Sequence, residues 1–178
     1  LQINISNIPE EGLRLHFSRS GDWFFRFLPD SEKEGFSPGE ISVRCFVEKT
    51  LKNIFVKGEV ETVIRLTCCR CLEEFDLPLA VEFEYTLVPV VDDPKEDVEL
   101  AIEDLESGYY RGNTIDLGEI VVEQIVLQIP IKPLCSDSCK GLCPVCGINL
   151  NTESCDHEAG HTDSPFAVLK NFKAKKGI

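Results

Sequence analysis

Apolar and polar residues alternate with a period of two along two long stretches of the chain. In the first, Val56, Gly58, Val60, Thr62, Ile64 and Leu66 share one side, and Lys57, Glu59, Glu61 and Arg65 the other. In the second, Leu77, Leu79, Val81, Phe83, Tyr85 and Leu87 alternate with Glu82, Glu84 and Thr86. Successive side chains of a strand point to opposite faces, so both stretches read as half-buried strands of an antiparallel sheet. ISVRCFVEK, just before them, repeats the pattern with Ile41, Val43, Cys45 and Val47 on one face. The two long strands flank CCRCLEEF, which puts Cys68 and Cys71 near the tip of a hairpin. Towards the N-terminus, LQINI, LRLHFS and DWFFRFL read as short strands separated by turn formers such as Pro9 and Gly21, and SEKEGFSPGE as a loop.

The period changes at TIDLGEIVVEQIVLQIP. Asp116 with Glu119 three residues later has the form of a capping box, and Pro130 stops the helix. Its apolar residues (Leu117, Ile120, Val121, Val122, Ile125, Val126, Leu127, Ile129) go nearly all round, so the helix is expected to be buried, lying across the sheet. A last short helix, PFAVLKNFK, is expected near the end, with Pro165 in its first turn. These elements make an α+β protein: an antiparallel β-sheet or partial barrel, one buried helix, and a C-terminal zinc-binding module. The expected division is a β-rich part, 1–132, with an acidic loop at 92–108 and the helix at 116–129. A cysteine-rich part, 133–178, follows and ends in the short helix.

Charge narrows the range of functions. The chain of 178 residues carries a formal charge of −13. Asp92, Asp93, Glu96, Asp97, Glu99, Glu103, Asp104 and Glu106 stand against Lys95 alone, so more than half of that charge sits in one segment. Such a balance argues against a broad electrostatic grip on phosphate backbones or anionic lipid. The end is locally basic, with Lys170, Lys173, Lys175 and Lys176; the ordinary reading is a solvated helix terminus, and the functional one an RNA contact. The opening LQINISNIPEEG lacks the basic, apolar and small-residue regions of a signal peptide. The most apolar run, IVVEQIVLQIPI, is interrupted by Glu123 and is too short for a bilayer, so no membrane partner and a cytoplasmic location are expected.

Nine cysteines, an odd number, read as thiols and metal ligands of a reducing compartment rather than as disulfides. Zinc takes four soft or borderline ligands in a tetrahedron, and a C-x2-C loop offers two thiolates at once. The chain has two such pairs, Cys68/Cys71 and Cys143/Cys146, together with Cys135/Cys139 and Cys155/His157; His161 is a spare. In CPVCG, Gly147 lets the backbone turn so that its N–H groups can point at the sulfurs. Cys45, on an apolar strand face, and Cys69, inside the knuckle, are left out. Two groupings fit: one compact site from Cys135, Cys139, Cys143 and Cys146, or two sites. In the second, which is preferred because it uses every pair, Cys135/Cys139 join Cys68/Cys71, and Cys143/Cys146 join Cys155 and His157. Four protein ligands, mostly thiolate, leave the metal closed and a poor Lewis acid, which favours a structural role and no enzymatic activity.

Other features are weaker. WFFRF at 23–27 could stack on bases, but is more simply core aromatics. His16 has no partner nearby in sequence and reads as structural. The acidic run lacks the glycine and final glutamate of a calcium loop. No nucleotide loop, nucleophile elbow or H-E-x-x-H motif occurs, and no small-molecule substrate is expected.

In order, the chain presents CCRCL, TIDL, VEQIVLQIPIKPLC, CKGLCPVCGINLN and SPFAVLK. Taken together these motifs, over roughly 65–172, resemble the YceD family of large ribosomal RNA subunit accumulation proteins. Asp163-Ser164-Pro165 departs slightly from the family's closing D-P or N-P. The resemblance implies a ribosome-biogenesis factor that supports synthesis, processing or stability of large-subunit rRNA, without a known catalytic activity. Its partner would be a ribosomal protein or assembly factor, or large-subunit rRNA reached through the basic C-terminal end. The acidic charge favours the protein partner. Two other classes are a zinc-dependent nuclease or hydrolase acting on rRNA, and a zinc-thiolate redox-responsive protein-interaction module.

Overall fold

The computed structural model describes residues 1–33, 35–90 and 107–157. Six strands form one sheet: β2 (Leu13–Arg19), β4 (Ile41–Thr50), β5 (Asn53–Thr67), β6 (Glu74–Pro89) and β7 (Ser107–Tyr110) in that order, with β3 (Phe36–Pro38) paired to the far end of β5. β1 (Gln2–Asn4) and β8 (Thr114–Asp116) make a separate two-stranded ribbon. The large sheet is an open path, not a closed barrel. It is antiparallel except at β6–β7, which run parallel.

The alternation read from the sequence sets the register. Val43 faces Val60, Val47 faces Val56, Val60 faces Val81 and Ile64 faces Leu77, so the apolar rows of β4, β5 and β6 form one continuous buried face. Gly58 belongs to that row because the Phe83 ring lies over it, where a Cβ would come within 2.7 Å. On the solvent face, Arg44–Glu59, Lys57–Glu84 and Arg65–Asp76 pair across strands at 2.9 Å each. These pairs are exposed, so they favour this register more than they add stability.

Two stretches differ from expectation. DWFFRFL is not a strand: α1 (Gly21–Phe24) is a single helical turn continued by the bonds Arg26 N–H to Trp23 O and Phe27 N–H to Phe24 O. Trp23 and Phe24 are neighbours in sequence and both buried, which a strand cannot arrange because it sends them to opposite faces. They join the core, with Phe27 edge-on to Trp23 at 5.0 Å. SEKEGFSPGE is not wholly loop, since Phe36 pairs with Leu66 at the end of β5 and forms β3. His16 is exposed on β2.

The helix α2 (Leu117–Gln128) starts at Asp116, whose carboxylate accepts the Gly118 N–H at 2.8 Å. It packs on β6 and β1 through Leu117, Ile120, Val121, Val122 and Ile125. The expectation of burial all round fails at its C-terminal end, where Val126 and Leu127 are exposed. The acidic residues 92–106, the lysine-rich end, His161 and the short C-terminal helix lie outside the described residues; Ser107 and Gly108, expected in the acidic loop, belong to β7. Among the described residues no helix is long and apolar enough to cross a membrane.

Candidate metal centres

The long β5–β6 hairpin turns between Thr67 and Glu74, at the CCRCLE stretch. At that tip Cys68 N–H donates to Glu73 O at 2.9 Å and Leu72 N–H to Cys68 O at 3.0 Å. Leu72 closes the turn in the left-handed region, at φ 61°. The turn aims Cys68 and Cys71 the same way, and both are buried.

The segment after α2 returns to this tip. Cys69 N–H donates to Pro133 O at 2.9 Å, and the Arg70 guanidinium donates to Cys139 O at 2.9 Å and Asp137 O at 3.4 Å. Cys135 and Cys139 thereby face the hairpin pair. Cys68 Sγ and Cys139 Sγ are 3.8 Å apart, and Cys71 Sγ and Cys135 Sγ 3.7 Å. Bonds of about 2.3 Å from a central zinc give a sulfur tetrahedron with edges of about 3.8 Å. The separations are far too long for disulfides and match that edge. Phe75 and Leu134 close an apolar collar round Cys68, Cys71 and Cys139.

A second group follows directly. Cys143 N–H donates to Ile148 O at 2.8 Å and Gly147 N–H to Cys143 O at 2.9 Å, with Gly147 at φ 76° making the expected turn. Leu142 bridges Asn149, so this loop is a minimal β-ribbon. Cys143, Cys146, Cys155 and His157 bring their ligand atoms within 4.8 Å of one another, as do Cys68, Cys71, Cys135 and Cys139. Each group supplies four donors of the type a zinc-like cation takes, so both can hold a metal. The compact arrangement of Cys135, Cys139, Cys143 and Cys146 is not formed. Cys45 is buried in the sheet core, where desolvation pushes its thiol up to about 11, and Cys69 is exposed.

The environments favour anionic sulfur at Cys68, Cys139 and Cys143 and oppose it at Cys71, Cys135 and Cys155. The backbone N–H groups of Cys135, Cys71 and Arg70 hold the Cys68 thiol down at about 6. Those of Cys146 and Val145 do the same for Cys143, also to about 6. The Asn151 amide lowers Cys139. The neighbouring Cys139 sulfur in turn pushes Cys135 up to about 12, because the hydrogen bond between the two sulfurs favours the protonated Cys135 thiol, and desolvation adds to the shift.

Two residues that sequence reasoning missed tie the groups together. Asn151 accepts the Lys140 N–H at 2.8 Å and donates to Cys139 Sγ at 3.3 Å, reaching from the second loop to the first group. Arg70, besides its guanidinium bonds, accepts the Leu142 N–H on its carbonyl at 3.1 Å. Gly141 stands at φ 75°, where a Cβ would meet that same carbonyl at 3.0 Å. Nothing in the spacing of Arg70 or Asn151 marks them, since their roles depend on how the two loops dock.

Comparison with known proteins adds the relatives. The family model described as "Large ribosomal RNA subunit accumulation protein YceD" matches residues 56–173. An uncharacterized protein of Mycobacterium tuberculosis is 30% identical over 123 residues, covering 69% of this chain and 57% of that protein. The Haemophilus influenzae large ribosomal RNA subunit accumulation protein YceD is 28% identical over 149 residues, covering 83% of this chain and 81% of its own. The chloroplastic YCED homolog 1 of Arabidopsis thaliana is 28% identical over 166 residues, covering 77% of this chain and 49% of that protein. The chain thus spans a little over half the length of the mycobacterial relatives it matches. No solved structure matches.

Proposed function

The chain belongs to the YceD family of large ribosomal RNA subunit accumulation proteins, and from that premise we propose that it is a non-enzymatic factor in biogenesis of the large ribosomal subunit, built on two structural zinc ions. It supports synthesis, processing or stability of large-subunit rRNA in the cytoplasm. The observation that carries the zinc reading is the pair of four-donor groups, Cys68/Cys71/Cys135/Cys139 and Cys143/Cys146/Cys155/His157. Bound there, zinc supplies cross-linking rather than reaction chemistry, because four protein ligands fill its tetrahedron. A hydrolytic zinc needs a vacant position, so complete ligand sets speak against a nuclease.

The working surface then acts by contact. With a net charge of −13, the molecule suits a basic protein, such as a ribosomal protein or assembly factor, better than naked rRNA. RNA contact through Lys170, Lys173, Lys175 and Lys176 is the second reading, favoured by the local excess of lysine. Filter binding to large-subunit rRNA across a salt series, beside a pull-down after nuclease treatment, separates them. Protein partners recovered without RNA, and no steep salt-dependent rRNA affinity, are expected; tight rRNA binding that falls steeply with salt would overturn the preferred reading.

A further inference from the structure

On the large sheet, the side opposite the buried rows carries two cross-strand lines of side chains. Arg14, Phe46 and Lys57 stand abreast on β2, β4 and β5, and His16, Arg44 and Glu59 form the next line. These six line an open hollow of about 470 Å³. Phe55 lies on the same side, one diagonal step from Phe46, because Phe46 faces Lys57 and Phe55 precedes Lys57 by two residues. The other described phenylalanines belong to the core or pack against it; Phe46 and Phe55 do neither. The Phe46 ring is nonetheless held in place. Its edge abuts Gly12, which stands at φ 81° and has no room for a Cβ beside the ring, and the Arg14 guanidinium lies over its face at 5.2 Å.

The charges round the rings are uneven. Lys57 pairs with Glu84 at 2.9 Å, and Arg44 with Glu59 at 2.9 Å and Glu61 at 3.5 Å. Among the described residues Arg14 and His16 meet no carboxylate. In a molecule with a net charge of −13 this leaves a local cationic site beside two flat apolar platforms.

We propose that this face binds a short single-stranded RNA segment. One base stacks over the Phe46–Arg14 pair and the next on Phe55, and phosphate is held by Arg14 and His16. The occupant follows from the chemistry: π-faces accept unstacked bases of any sequence, and unpaired cations accept phosphate. A basic protein would meet Arg14 and His16 as like charges, and an acidic peptide would leave the rings unused. The site goes beyond the protein-partner reading above and rests on neither zinc group. Two phosphate contacts on a single strand give a log–log salt slope of about −1.4, so the contact is local and shallow in salt and stands beside a protein partner held elsewhere.

Fluorescence anisotropy of the full-length protein with fluorescein-labelled adenylate and uridylate octamers tests this. Saturable binding with a salt slope of about −1.4 is expected. Phe46→Leu and Phe55→Leu keep apolar bulk but remove a stacking ring, and each is expected to weaken binding of the adenylate octamer by about tenfold. Arg14→Gln, at an exposed position, is expected to halve the slope to about −0.7. Arg65→Gln, on the same side of the sheet but outside the hollow, is expected to change nothing. No saturable binding of either octamer would overturn the proposal, as would a slope of several units. So would equal losses from Arg65→Gln and Arg14→Gln, or binding indifferent to both phenylalanine variants. Displacement of the octamer by an equal concentration of a hexaglutamate peptide would also overturn it, and would make an acidic protein segment the occupant.

Discussion

Asn151 and Gly141 are the positions where single substitutions separate a docked pair of loops from two independent ones. Asn151→Ala removes the N–H bond to Cys139 Sγ and the acceptor for Lys140 N–H, so metal affinity of the first group is expected to fall by about tenfold, read by competition with a chromophoric chelator. Gly141→Ala forces a side chain into the left-handed region against the Arg70 carbonyl and is expected to cost about 1–3 kcal/mol in urea unfolding. The thiols outside the groups behave oppositely to each other. Exposed Cys69 should alkylate readily in the native protein, whereas Cys45, raised by burial to about 11, should resist until the chain unfolds. The sign of that shift makes the Cys45 contribution complete below the ordinary thiol range, near about 8.5, and lost as pH climbs through about 11. The ligand candidates were legible because a C-x2-C loop determines its own geometry. Arg70 and Asn151 were not, because their partners lie 69 and 12 residues away in sequence.

At the scale of elements, the hairpin β5–β6 and the helix α2 bear the construction. Ile125 is wholly buried between helix and sheet, so Ile125→Ala is expected to cost about 2–5 kcal/mol by urea titration followed by circular dichroism. Asp116→Ala removes the helix cap and is expected to cost about 1 kcal/mol by the same measurement. Strands β4, β5 and β6 could be read from the chain because one face of each is buried and the other wet, which prints a period of two on the sequence. The aromatic turn at Trp23 and Phe24 could not, because short apolar runs carry no period and tertiary packing decides them. Nor could β3, whose three residues are held by Leu66 and its neighbours rather than by their own pattern. The parallel pairing of β6 with β7 is likewise invisible in the periodicity, because a period of two is the same whichever way the neighbouring strand runs.

For the whole molecule, a metal held by the first sulfur group would close a loop from Cys71 to Cys135, 64 residues apart, and so join the sheet to the segment beyond α2. By chain entropy alone a cross-link of that span is worth about 4 kcal/mol. A metal in the second group would close only a local loop within residues 143–157. Cys71→Ser is therefore expected to lower global stability far more than Cys146→Ser, though each should reduce bound metal by one ion per chain. The most direct test is zinc K-edge absorption on protein isolated without chelator, scaled to protein concentration. The account predicts two zinc ions per chain sharing seven sulfur ligands and one imidazole nitrogen. Less than one zinc per chain in folded protein, or a zinc with an oxygen ligand in place of a protein donor, would contradict it.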